Sequence, residues 1–200
     1  MPLWSFFFGL AVMVVPVAVV MLLTGLLLAG ASHALAANLI GTPDNDNLVG
    51  GNTADMIRGL AGNDTIYGMS GNDQLSGNDG RDKIYGGDGA DLIRGGIGND
   101  NLEGGEGADQ IFGEVGADTI NGDGGADKIL GGPGRDLIKG GYGDDVIYGD
   151  DDMDRIYGNQ GNDRIYGGAG ADWIYGGPGY DVCYVSAIDK YSDCERIYKP

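Results

Sequence analysis

Apolar side chains along this chain fall into two regimes. Residues 3–30 are almost wholly apolar, whereas beyond residue 37 the apolar positions are isolated and evenly spaced. From Leu48 an aliphatic residue recurs every nine positions, fifteen times, as far as Ile174, and Cys183 takes the sixteenth place. Each is the centre of an x-U-x triplet (U aliphatic) flanked by polar or aromatic residues, which predicts a short strand with one face buried. Two residues before each of these positions stands an aspartate, and five residues before each aspartate stands a glycine, both sixteen times without an insertion. Of the 41 glycines, 38 lie in the five residues ahead of an aspartate. Glycine is needed there because the chain must turn or pass close to another stretch of backbone. The predicted unit is therefore a turn followed by a strand, with no helical spacing after residue 37. A fixed short period of this kind marks a solenoid, in which one small unit stacks on copies of itself.

The unit reads G-G-x-G-x-D-x-U-x. Its most regular copies are Gly86-Gly87-Asp88-Gly89-Ala90-Asp91-Leu92-Ile93-Arg94 and Gly95-Gly96-Ile97-Gly98-Asn99-Asp100-Asn101-Leu102-Glu103. The stretch 41–184 resembles the RTX (haemolysin-type) calcium-binding nonapeptide repeats. That resemblance implies an all-β fold: a parallel β-roll (β-solenoid) of sixteen nonapeptide repeats, two per coil, so that residues eighteen apart stack. It implies a core made by the U side chains of two facing sheets. It also implies Ca2+ held between stacked turns by aspartate carboxylates and glycine-turn carbonyls.

The metal-ligand candidates are thus Asp46, Asp55, Asp64, Asp73, Asp82, Asp91, Asp100, Asp109, Asp118, Asp127, Asp136, Asp145, Asp154, Asp163, Asp172 and Asp181. With them go the turn glycines Gly59, Gly68, Gly77, Gly86, Gly95, Gly104, Gly113, Gly122, Gly131, Gly140, Gly158, Gly167 and Gly176. A set of hard oxygens without imidazole or thiolate suits Ca2+ better than Mg2+ or Zn2+. An ion bridging one turn and the next but one allows up to 14 sites in sixteen turns.

Charge agrees with this. Asp and Glu total 30 against 12 Lys and Arg, a net charge of −18, and none of these residues precedes residue 37. Such a field disfavours nucleic acid and anionic lipid and favours cations. One aliphatic side chain per repeat is a thin core for a glycine-rich chain, and columns of aspartate repel one another. The metal-free chain is therefore expected to be largely disordered and to fold on binding Ca2+.

The repeat is not uniform. Its third turn position is glycine in thirteen copies but Asp44, Thr53 and Asp152 in the others. The run Gly149-Asp150-Asp151-Asp152-Met153-Asp154 reads as a decayed turn rather than a specialised site. Tyrosine follows U at Tyr67, Tyr85, Tyr148, Tyr157, Tyr166, Tyr175 and Tyr184, next to Trp173, Arg155 and Arg164. Stacking by eighteen aligns Tyr148, Tyr166 and Tyr184 on one outer face and Tyr157 with Tyr175 on the other. Such ladders stiffen the sheet. The alternative is an aromatic surface for a glycan or protein.

The ends suggest a division into 1–36 as signal peptide or membrane anchor, 37–184 as β-roll and 185–200 as C-terminal cap. Ala34-Leu35-Ala36 fits a small-x-small cleavage rule. The apolar run is also long enough to span a bilayer, and no Lys or Arg precedes it. Either route presents the repeats outward, as a secreted protein or one anchored at the cell surface. Cys183 and Cys194 are expected to pair as a disulfide in that oxidising setting, with Ile188 and Ile197 as apolar cover for the open core.

Nothing in the residues points to an enzyme. The single histidine, His33, lies in the apolar segment, the serines lack a partner base, and the repeats account for nearly all the carboxylate pairs. The expected function is a secreted calcium-binding module with a structural or interaction role. The alternatives are an adhesin or matrix protein that binds glycans or cell surfaces through its tyrosine faces, or a calcium-dependent polysaccharide-acting enzyme. Ice binding would require ranks of threonine, and the repeats carry only Thr42, Thr53, Thr65 and Thr119.

Overall fold

The computed structural model describes residues 36–199. Residues 1–35, and with them the expected signal or anchor segment, lie outside the described residues. Nineteen strands, and no helix, make up the regular structure of the described residues. Successive strands alternate between two parallel sheets, of ten and nine strands. As far as Val182–Tyr184, each strand pairs with the strand two further along the chain in a register of eighteen residues: Ile66 pairs with Ile84, Ile84 with Leu102, and Ile93 with Ile111. Two nonapeptides therefore close one coil, and about nine coils stack into a parallel β-solenoid.

A single column of side chains fills each sheet's inner face. Every U residue from Leu48 to Ile174 is buried, and so are Cys183 and Val185. With a period of two along the strand, one inward residue per triplet is all that the pleat supplies. Leu39 packs partly against the same core, in the strand Asn38–Ile40. It occupies the U phase nine residues before Leu48, so the column begins one step earlier than the aspartate pattern.

The strands are longer than the triplets suggest. Twelve in succession, from Met56–Ala61 to Arg155–Gln160, contain six residues. Thr65–Ser70 pairs with Lys83–Asp88 at Thr65↔Lys83, Ile66↔Ile84 and Tyr67↔Tyr85, skips the glycines, and resumes at Met69↔Gly87 and Ser70↔Asp88. The first glycine of each turn is thus a bend within a strand rather than the end of one. Beyond the bend, the residue four before each aspartate from Asp64 to Asp181 takes a left-handed conformation. It is often glycine, but Leu60 (φ 90°) and Met69 (φ 83°) also adopt it. Pairing with the next coil, Leu60 with Asn78 and Met69 with Gly87, holds a bulky residue in a conformation that is costly for it.

The tail is built as further rungs. Lys190–Ser192 pairs with Trp173–Tyr175, and Arg196–Tyr198 pairs with Val182–Tyr184. Cys183 and Cys194 form a disulfide. The apolar cover expected from Ile188 and Ile197 is not what closes the end: Ile188 is 65% exposed and Ile197 39%. Ile188 lies in a loop, and Ile197 sits on the edge strand of its sheet, paired on one side only. Closure comes from Val185, Cys183 and the partly buried Cys194.

Candidate metal sites

The aspartates of the repeat form two stacked columns, one on each edge of the roll. From Asp55 to Asp181 every one is at most 4% exposed. The first link in their geometry is internal to the fold. The backbone N–H of each aspartate donates to Oδ1 of the aspartate eighteen residues on, at 2.7–2.9 Å, fourteen times from Asp46 to Asp163. One carboxylate oxygen is therefore a structural acceptor that ties coil to coil.

The second oxygen is different. Oδ2 is buried without a hydrogen-bond partner in fourteen aspartates, Asp64 to Asp181. In Asp46 and Asp55 it accepts the N–H of Thr42 and of Gly51, each at 2.5 Å. A buried anionic oxygen left unpaired is costly enough to call for an explanation, and a bound cation is one.

The turn glycines face that oxygen. A Cβ on Gly95 would stand 2.5 Å from Asp100 Oδ2 and 2.7 Å from the carbonyl oxygen of Gly113. At Gly50 the corresponding distances, to Asp55 Oδ2 and the Gly68 carbonyl, are both 2.6 Å. The arrangement recurs from Gly41 to Gly158, each glycine meeting the carbonyl of the glycine eighteen residues on. Every turn glycine expected from the sequence as a ligand candidate supplies such a carbonyl. So does Gly149, which that set omitted. Glycine is required here because any side chain would fill the space on which the two oxygens converge. Among the described residues no group of three or more His, Cys, Asp or Glu side chains gathers to hold an ion. A cation in these turns would depend on backbone carbonyls as much as on carboxylates. Unpaired carboxylate oxygens, carbonyl oxygens and a cradle kept open by glycine fit Ca2+.

Electrostatics point the same way. Burial pushes the carboxyls of Asp64, Asp91 and Asp163 up to about 6, from an ordinary 3.8, with neighbouring acids adding to the rise. Asp118 rises to about 7 and Asp154 to about 8, both chiefly by burial. Behind burial at Asp154 come Asp136, Asp172 and Asp152. The one ion pair among the described residues, Arg94 with Glu114, lies on the exposed outer face. Among the described residues no Lys or Arg forms an ion pair with the columns.

The run 149–154 keeps the geometry of its neighbours. Asp150 (φ 75°) and Asp152 (φ 74°) take the left-handed conformations that glycine takes elsewhere. Its backbone has not decayed, although three further acids surround Asp154.

Two features were not foreseen in the sequence. At the position before the repeat aspartate, a side-chain oxygen of Asn45, Asn63, Asn72, Asn99, Asp144 or Asn162 accepts the N–H of the residue eighteen further on. The recurrence of Asn there was the available signal. The aspartate columns also continue into the tail out of phase: the N–H of Asp172 donates to Asp189 Oδ1 at 3.1 Å, and that of Asp181 to Glu195 Oε2 at 2.6 Å.

On the outer faces, Tyr148, Tyr166, Tyr184 and Tyr198 form one continuous stack, with ring centroids 4.2–4.8 Å apart. Tyr157 stacks on Tyr175, and Tyr67 on Tyr85. The rings lie face to face, so each ladder presents ring edges to solvent and keeps the faces for itself. Arg155 and Lys190 lie over the Trp173 ring, which stays 36% exposed.

Comparison with protein families matches the RTX calcium-binding nonapeptide repeat (4 copies) at residues 40–75, 67–102, 94–129, 122–152, 130–162 and 148–183. No curated protein matches the chain.

Proposed function

The chain belongs to the RTX calcium-binding nonapeptide repeat family, and on that premise we propose that it is a secreted module whose β-roll is ordered by Ca2+ between stacked turns. The repeat aspartates and turn-glycine carbonyls are its ligands in this reading. One observation carries it: fourteen buried carboxylate oxygens without a partner, set against glycines that keep the adjoining space open. Bound calcium supplies the positive charge that the columns lack. The chain itself supplies the ladder of N–H to Oδ1 bonds, which holds the carboxylates from Asp64 to Asp181 with the other oxygen free.

The role is structural or interactive rather than catalytic. Residues 1–36 act as the export signal, 37–184 as the roll, and 185–200 close its end. Remaining unfolded where calcium is scarce and folding where it is abundant suits a protein that is ordered only after export. Extracellular calcium modules commonly work at about 10⁻⁴–10⁻³ M. The stacked tyrosines favour stiffening over glycan recognition, because sugars dock on ring faces and these faces are taken.

The test is far-UV circular dichroism of residues 37–200, in excess chelator and then through a calcium titration. The expected result is a largely disordered spectrum that becomes β as calcium is added. A full β spectrum in chelator would defeat the proposal.

A further inference from the structure

The last coil breaks the repeat in an informative way. Each turn glycine from Gly41 to Gly158 meets the carbonyl of the glycine eighteen residues on. At Gly167 no carbonyl is among the three nearest atoms: a Cβ there would meet Asp172 Oδ2 at 2.7 Å and Ile174 Cδ1 at 3.0 Å. At Gly176 the carbonyl returns, and it belongs to Asp193, outside the nonapeptide phase. Asp181 Oδ2 lies 2.6 Å from the same point. Asp181 is fully buried, and this oxygen has no hydrogen-bond partner.

Four consecutive tail residues make this possible. The Ser192 carbonyl accepts the Gly176 N–H at 3.0 Å. Asp193 turns left-handed, with φ 54°, and directs its carbonyl at Gly176. Cys194 is bonded to Cys183 in the core column. Glu195 takes the Asp181 N–H. The tail has neither the glycines nor the spacing that place a carbonyl elsewhere in the roll. Asp193 is instead held between the Ser192 carbonyl, bonded to the Gly176 N–H, and Cys194, tied covalently to the fully buried Cys183.

We propose that Asp181 Oδ2 and the Asp193 carbonyl hold a terminal Ca2+, and that the Cys183–Cys194 disulfide keeps that carbonyl in place. The inference rests on the calcium reading above. Reduction opens the site: a dithiol gives two electrons and two protons to the Cys183–Cys194 bond, leaves as its own disulfide, and yields two thiols. The terminal ion is then released while the interior of the roll keeps its own.

The experiment counts calcium by equilibrium dialysis on the full chain, with hydrogen exchange as a check on the interior coils. Asp181→Asn keeps the Oδ1 acceptor for the Asp163 N–H and removes only Oδ2. It should bind one ion fewer than the unaltered chain, as should Cys194→Ser. The double variant should also lose one, since both changes strike the same site. Gly176→Ala leaves the disulfide intact and fills the cradle. It should also lose one ion, which keeps the test decisive if Cys194→Ser does not fold. Full binding by Cys194→Ser or Gly176→Ala, or the loss of two ions in the double variant, would overturn the inference alone. An unaltered chain that takes up no calcium would overturn the functional proposal with it.

Discussion

The backbone N–H of Asp82 donates to Oδ1 of Asp100, one coil along, at 2.8 Å, while Oδ2 of Asp100 is buried without a partner. One carboxylate thus has two tasks that a substitution can separate. Asp100→Asn keeps the acceptor and alters only the second oxygen. It should reduce the calcium count and leave the saturated roll close to native stability. Asp100→Ala removes both oxygens and strands a buried N–H, which costs about 1–3 kcal/mol. Urea unfolding in excess calcium should place Asn well above Ala, and equal midpoints would show that the N–H to Oδ1 bond contributes nothing.

The raised aspartates set a pH dependence for the metal-free chain. Their folded values, about 6 for most and about 7 and 8 for Asp118 and Asp154, lie above the roughly 3.9 of an unfolded aspartate. The folded roll therefore binds more protons than the unfolded chain between about pH 4 and 8. Stability from this source is fully present below the unfolded value and is lost as pH rises through the folded ones. In chelator, β structure should grow as pH falls from 8 towards 5, and saturating calcium should flatten the curve. Circular dichroism that loses β signal on acidification over this range would contradict the assignment.

Adjacent glycines should respond differently. Gly95 has an ordinary φ, but a Cβ there would stand 2.5 Å from Asp100 Oδ2 and 2.7 Å from the Gly113 carbonyl. Gly96 is left-handed, with φ 119°. Its phase already accepts asparagine, as Asn78 (φ 75°) and Asn159 (φ 71°) show. Gly95→Ala should lower calcium uptake, whereas Gly96→Asn, whose Cβ would instead crowd the Asn78 carbonyl oxygen, should cost stability and leave the calcium count unchanged. Equal uptake by the two variants would mean that the cradle is not where the ion binds.

Tyr166 stacks on Tyr148 at 4.6 Å and on Tyr184 at 4.2 Å. Tyr166→Ser breaks both contacts, each worth about 0.5–1.5 kcal/mol. The calcium-loaded protein should melt at a lower temperature with its calcium count unchanged. A glycan array on which the unaltered chain binds and this variant does not would instead favour a recognition surface.

The sequence disclosed most of the fold, because its signals are periodic. The U column follows from counting residues; stacking by eighteen, and with it the alignment of Tyr148 with Tyr166, comes with the family resemblance, and the Cys183–Cys194 pair from two cysteines in an oxidising setting. What counting missed depends on three-dimensional compensation. Leu60 and Met69 sit in conformations that favour glycine because the next coil holds them, and nothing local marks that. Asp189 and Glu195 continue the carboxylate columns although the loops before them are shortened, so no fixed period finds them. Ile188 and Ile197 looked like cover on hydrophobicity alone. Their exposure was decided by where the last strand ends. At the candidate sites, residue types were legible, but the division of labour between Oδ1 and Oδ2 was not, since it depends on carboxylate orientation.

The eighteen-residue register has a further consequence. Parallel strands lie about 4.7–4.9 Å apart, and each coil repeats the contacts of the last. Length in this molecule behaves as a modular quantity. Removing or inserting eighteen residues shortens or extends the rod by one rung and leaves every surviving neighbour with the partner type it had. A change of nine sends all later strands to the opposite sheet, and the two tyrosine files exchange sides.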